Sequence, residues 1–284
     1  MVKALNLGRS PAQRIPAVAG MVFLAGAVLL ATTPAHAGRS CESRKPVPPQ
    51  VIERGMKLAE QTSAALDAEH AKSGVQVVAL ARAGQDLSKY GLRYSHFGWA
   101  YKTAEGPWRV AHKLNECGTA VGHLYRQGLG EFFLDDLWRF EAVLAVPSPA
   151  VQAQLLPVLS DNGRATMLHA QPYSMVSYAW GTKYQQSNQW ALETLAFAME
   201  PATVRTREQA QAWLRFKGYE PTVLKLGPLT RLGGRVGSAN IAFDDHPNDK
   251  RYSDRIETVT VDSVLSWMQR TQLAAAPVGV QAKR

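Results

Sequence analysis

Two cysteines, Cys41 and Cys117, are all that 284 residues contain, too few for a cysteine-stapled miniprotein. Long apolar runs are missing everywhere except at the extreme N-terminus, which excludes a multi-span membrane protein. There is no Gly-X-Y period, no internal repeat and no Gly/Ser linker, so collagen-like rods, repeat arrays and linked modules are excluded as well. What is present argues for a packed core: 46% of the residues are hydrophobic, with seven Trp, nine Tyr and eight Phe. The formal net charge is +9. Its cations are scattered and form no dense basic run, so nucleic acid is not an expected partner.

Residues 1–37 read as a secretory signal. Lys3, Arg9 and Arg14 form a positive leader with no acidic residue before Ala37, and an apolar stretch runs from Ala17 to Ala31. Ala35-His36-Ala37 then supplies the small residues a signal peptidase reads, placing cleavage before Gly38. The competing reading is an uncleaved anchor. Cleavage would leave a periplasmic or secreted protein with no stable membrane span, and with a basic surface suited to an anionic envelope. In an oxidising compartment, an isolated cysteine pair is expected to form a disulfide. A Cys41–Cys117 bridge would add about 4 kcal/mol on the chain-entropy model. The alternative makes Cys117, in Asn115-Glu116-Cys117-Gly118, a free nucleophile.

Along the exported part, helical spacing predicts a helix over Val51–Ala71, and Val75–Leu80 reads as a buried strand. Gln85–Arg93 is polar and reads as a loop. Tyr94–Tyr101 and Trp108–Leu114 are β-prone segments flanking a Gly-Pro turn, which predicts a hairpin. Trp138–Val146 is a further strand candidate. Helices are expected over Ala150–Leu159, Ser187–Met199 and Arg205–Phe216, short strands over Val223–Leu226 and Glu257–Val261, and a last helix capped by Asp262. The tail 274–284 is expected to fray. Helices before and after a cluster of strands argue for an α+β domain over 38–273, with a mainly antiparallel sheet packed against helices.

His96, in Tyr94-Ser95-His96-Phe97-Gly98, and His112, in Trp108-Arg109-Val110-Ala111-His112, fall on the two hairpin strands. Side chains that share a face across such a hairpin meet within about 5 Å, so one imidazole can orient the other as a base. Two structural histidines are the plain alternative. Ser187, in Gln186-Ser187-Asn188-Gln189-Trp190, opens the apolar helix. There it is either a nucleophile with helix-start amides as oxyanion donors or a helix cap.

This order resembles the circularly permuted, lecithin:retinol acyltransferase-like branch of the papain-like NlpC superfamily. The resemblance implies His96 as base, His112 as second polar residue and Ser187 in place of the nucleophilic Cys. The whole exported chain is also similar to the bacterial domain of unknown function 2145. Its shared blocks look like Gly84–Gly91, Tyr94–His96, Asn115–Gly118, Ser187–Trp190 and Phe243–Pro247. That family brings no established activity.

A hydroxyl needs concerted base removal of its proton where a thiol does not. The resemblance therefore leaves two outcomes: an acyl hydrolase or transferase acting on amide or ester bonds of envelope peptides or lipids, or a catalytically inactive binding protein. Tyr94, Trp99, Tyr184 and Trp190 are candidates to line a groove, with core packing as the alternative. Asp244-Asp245-His246-Pro247 could belong to a metal-dependent hydrolase, but it reads more simply as a hydrated turn. The glycines of Leu232–Ser238 read as a flexible turn. No cofactor or metal is expected, and the oligomeric state is not legible.

Overall fold

The computed structural model describes residues 46–282 apart from 104, 105 and 136. The expected leader at 1–37 and Cys41 lie outside the described residues. Pro49 opens helix α1 (Pro49–Ser73), and Gly74 closes it at φ 71, a left-handed cap that only glycine adopts without strain. Strand β1 (Val77–Arg82) is buried along its whole length. It pairs antiparallel with β2 (His96–Lys102), which pairs with β3 (Trp108–Asn115) as the expected hairpin. The loop between β1 and β2 carries one 3-10 turn, Ser88–Tyr90.

Strand β4 (Gly122–Gly128) follows β3, and the short helix α2 (Leu129–Phe133) follows β4 directly. Strand β5 (Glu141–Ala145) returns to the other side of β1. Helices α3 (Pro149–Ser160), α4 (Asn162–Thr166), α5 (Ser187–Met199) and α6 (Arg207–Phe216) come next. Then β6 (Thr222–Lys225), α7 (Pro228–Gly237), α8 (Asn248–Tyr252), β7 (Arg255–Thr258), α9 (Val261–Arg270) and β8 (Val278–Gln281) complete the chain. Six strands form one antiparallel sheet in the order β4-β3-β2-β1-β5-β8, and β6 pairs with β7 apart from it. The α+β class, with a mainly antiparallel sheet packed against helices, stands.

Alternation along the strands divides the core in two. Val77, Ala79, Phe97, Trp99, Tyr101 and Ala111 pack with α3, α5 and α9 on one face of the sheet. Val78, Leu80, Ala100, Val110 and Leu144 pack with α1 and α2 on the other.

Four expectations are corrected. From Ala274 through 282, the described part of the tail does not fray, because Val278–Gln281 adds to the edge of β5 and Ala274 is buried. The last helix is capped by Thr260 rather than Asp262: the Thr260 hydroxyl accepts from Ser263 N–H in a capping box. The strand expected over Glu257–Val261 begins two residues earlier, at Arg255. The Gly-rich stretch around 232–238 is helical through Gly237.

Candidate functional site

His96 opens β2 opposite Arg82 of β1, and His112 lies on β3. Both fall in the even-numbered set of their strands, the set that faces α1 and α2. Their rings meet with centroids 5.1 Å apart, and Nε2 of His96 lies 2.8 Å from Nδ1 of His112. Gly98 makes this approach possible: a Cβ there would stand 2.8 Å from Val110 Cγ1 and 3.0 Å from the His112 Cβ. Nε2 of His112 is 2.9 Å from Oε1 of Gln127 on β4. The amide oxygen only accepts, so His112 donates from Nε2 and receives the His96 proton on Nδ1. The direction is that of a base and its orienter.

The surroundings weaken both imidazoles as bases. His112 is wholly buried and His96 nearly so, and Phe132 of α2 packs 5.2 and 5.9 Å from their respective ring centroids. Burial, aided by the Arg82 cation, pulls His112 down to about 3. His96 is held well below its ordinary value by burial, by Arg82 and by His112 itself. Arg82 is in turn held by the Phe132 carbonyl and the Asp135 carboxylate.

Ser187 lies elsewhere. It is the first residue of α5; the cap is Gln186, whose side chain accepts from Asn188 N–H. The Ser187 hydroxyl is buried 3.3 Å from the Tyr173 hydroxyl. Its neighbours tie the helix start to different elements. Asn188 Oδ1 accepts from Phe97 N–H at 3.0 Å, Gln189 accepts from the Ser177 hydroxyl at 2.8 Å, and Gln186 donates to the Val259 carbonyl at 2.6 Å. The polar block Gln186–Gln189 is therefore a clasp between α5, β2, the 177–181 loop and the segment after β7. Helix α5 packs on the Phe97–Trp99 face of the sheet, and the two imidazoles face the opposite side. The structure brings His96 and His112 together and does not bring Ser187 to them.

Of the four expected groove residues, Trp99 and Trp190 are core. They are 0% and 1% exposed, and their indole N–H groups donate to the Ala191 and Ala165 carbonyls. A groove cannot be lined by side chains that are sealed on all sides. Tyr94 and Tyr184 are half-buried. In the 244–247 turn, Nδ1 of His246 is 2.9 Å from Asp245 and Nε2 is 3.2 Å from the Glu257 carbonyl. Both ring nitrogens are thus engaged by neighbours within the fold. Among the described residues no group of three or more His, Cys, Asp or Glu could hold a metal ion. Cys117 sits in the turn between β3 and β4. Its expected partner Cys41 is outside the described residues.

Two clusters escaped the sequence reading. On the α5 face, the buried Lys113 ammonium of β3 donates to the Ala170 carbonyl and to Gln185 Oε1, and lies 5.7 Å from the Tyr173 ring centre. Burial, with Arg207 nearby, brings Lys113 down to about 7. Beyond it, Glu193 of α5 and Arg207 of α6 form a buried ion pair. The available signals were Lys113 on a strand expected to pair within the sheet and Glu193 in the mostly apolar stretch that follows Gln189.

No curated protein and no solved structure matches the chain, and among the described residues no helix is long and apolar enough to cross a membrane. The family model for an uncharacterised protein conserved in bacteria, domain of unknown function 2145, matches residues 69–268. The chain belongs to that family.

Proposed function

We propose that this is an exported envelope protein that binds an envelope peptide or lipid and does not hydrolyse it. One observation carries the reading: the Ser187 hydroxyl and the His96–His112 pair lie on opposite faces of the sheet. A serine nucleophile needs its base within hydrogen-bond reach, and here the hydroxyl is engaged by Tyr173 instead. The imidazoles are also poor bases, because a general base works best with a pKa near the ambient pH. The succession of histidine strand, second histidine strand and later helix is the order of the permuted papain-like branch, and the chain is proposed as a member whose reaction centre is not assembled. A fluorophosphonate probe is expected to leave native protein unlabelled. Ser187→Ala should cost about 1–3 kcal/mol of stability, because it leaves the buried Tyr173 hydroxyl without its side-chain partner.

A second reading has its own observation, the placement of Ser187, Tyr173 and Lys113 on one face of the sheet. In it Lys113 is the base and acts on Ser187 through Tyr173. Labelling of Ser187 that survives His96→Ala and is lost in Lys113→Met would establish this reading and remove the first.

Export also supports a Cys41–Cys117 bridge. Mass spectrometry of the exported protein without reductant is expected to recover the two cysteines in one linked peptide. Two alkylated thiols would refute the bridge.

A further inference from the structure

Helix α7 is held to the protein by little. None of its ten residues is buried. Gly234 approaches Ile241, and Arg231 bonds the Leu226 carbonyl and Asp254. On the outward side, Leu229, Leu232 and Val236 are 84%, 59% and 81% exposed. Their i, i+3, i+7 spacing sets them in one stripe. The helix also carries Gly233, Gly234 and Gly237, and each interior glycine disfavours a helix by about 1 kcal/mol relative to Ala. A helix that lacks both intrinsic propensity and a buried face needs a surface to lie on.

The charges around the stripe indicate which surface. No Asp or Glu occurs between Pro221 and Phe243, whereas Lys225, Arg231 and Arg235 do. Lys225 faces Arg255 across the β6–β7 ladder, and both are exposed. Arg235 is exposed beside the stripe and forms no ion pair among the described residues. A second copy of the chain would bring these cations against their own images. Three aliphatic side chains are also a small patch for a stable protein interface. An aliphatic stripe flanked by cations fits the boundary between acyl chains and phosphate headgroups.

We infer that α7 is an interfacial anchor that lays Leu229, Leu232 and Val236 into an anionic phospholipid bilayer, with Lys225, Arg235 and Arg255 on the headgroup phosphates. The anchor is independent of how the histidine pair or Ser187 is used.

The test is hydrogen exchange of the full chain, followed at the amides of 228–237, with vesicles of phosphatidylglycerol and phosphatidylcholine or of phosphatidylcholine alone. The leader is kept in every sample, so only the local signal is read. The anionic vesicles should slow exchange in α7 by about tenfold or more, with the effect shrinking as salt rises. Neutral vesicles should leave it unchanged. The double variant Leu229→Glu/Val236→Glu changes only exposed side chains and should lose the protection while keeping its melting temperature. Exchange that ignores anionic vesicles, or slows equally with neutral ones, would overturn the anchor. So would protection that grows with protein concentration in the absence of vesicles, which would identify a self-association surface.

Discussion

Replacing Arg207 by Met is expected to destabilise the protein by about 3–5 kcal/mol, the usual cost of leaving one partner of a buried ion pair alone. Glu193 sits in the mostly apolar part of α5 that follows Gln189 and is 1% exposed. Arg207 Nε donates to its carboxylate at 2.8 Å, and Arg207 Nη2 does so at 3.2 Å. Without the guanidinium that carboxylate keeps only the neutral donors Gln185 and Gln211, which do not offset the desolvation of a charge. The same guanidinium also donates to the carbonyls of Thr182, Gly181 and Tyr184, so the loop before α5 loses these ties to α6 and keeps the Gln211 bond to the Gly181 carbonyl. In thermal unfolding this corresponds to a fall of roughly 10 °C for a domain of this size. Adding Glu193→Gln to Arg207→Met removes the orphaned charge, and part of the loss should return. Arg207→Lys should fall between, because one ammonium cannot reach three carbonyls and a carboxylate together. A midpoint unchanged by Arg207→Met would show that Glu193 is satisfied some other way.

Periodicity revealed the elements that bury one side. Helix α5 spans Ser187–Met199, as its apolar run and the following Pro201 predict. The β2–β3 hairpin follows from two β-prone runs and a Gly-Pro turn. Strand β4 was hidden because Gly122–Gly128 lies at the sheet edge with most of its residues only half-buried or exposed, so no apolar alternation marks it. The glycines of α7 obscured a helix with no buried residue to reveal it. For the candidate site, the period of two along a strand predicted that His96 and His112 could share a face, and their rings do meet. The same period is silent on which helix covers which face. That choice separates Ser187 from the imidazoles, and it is set by long-range packing of α1 and α2 on one side and α5 on the other. The tryptophans show a similar limit: composition does not distinguish a groove from a core, and Trp99 and Trp190 belong to the core.

Acid should unfold this protein through its histidines before its carboxylates contribute. In the unfolded chain an imidazole binds a proton near pH 6.5. In the folded chain His112 does so only at about 3, and His96 is likewise displaced well downward. Below pH 6.5 the unfolded state therefore holds protons that the folded state refuses. The imidazole contribution is full above that pH and falls as the pH drops toward the folded value, with a slope of about 1.4 kcal/mol per pH unit for each fully refused proton; the loss from Lys113, lowered to about 7, is already complete at higher pH. The half-buried His169, lowered to about 4, adds in the same direction. Carboxylates held low by cations, such as Glu141 by Arg93 and Asp67 by Lys102, add their own loss only nearer pH 4. The window from pH 6.5 to 4.5 thus reports mainly the imidazoles, with the half-buried Asp262, raised by burial, acting in the opposite direction. Arg82, fixed beside both rings, opposes their protonation, and Asp135 partly offsets it at His112. His112→Asn keeps an amide oxygen near the position of Nδ1 to accept from His96 and removes one titrating ring. In urea unfolding across that window, the variant should lose less stability per pH unit than the parent, by about 1.4 kcal/mol. It should be less stable than the parent at pH 7.5, where the lost bond to Gln127 is uncompensated. Parallel pH profiles for the two proteins would mean that His112 takes up its proton in the folded state, and the buried, neutral pair would have to be abandoned.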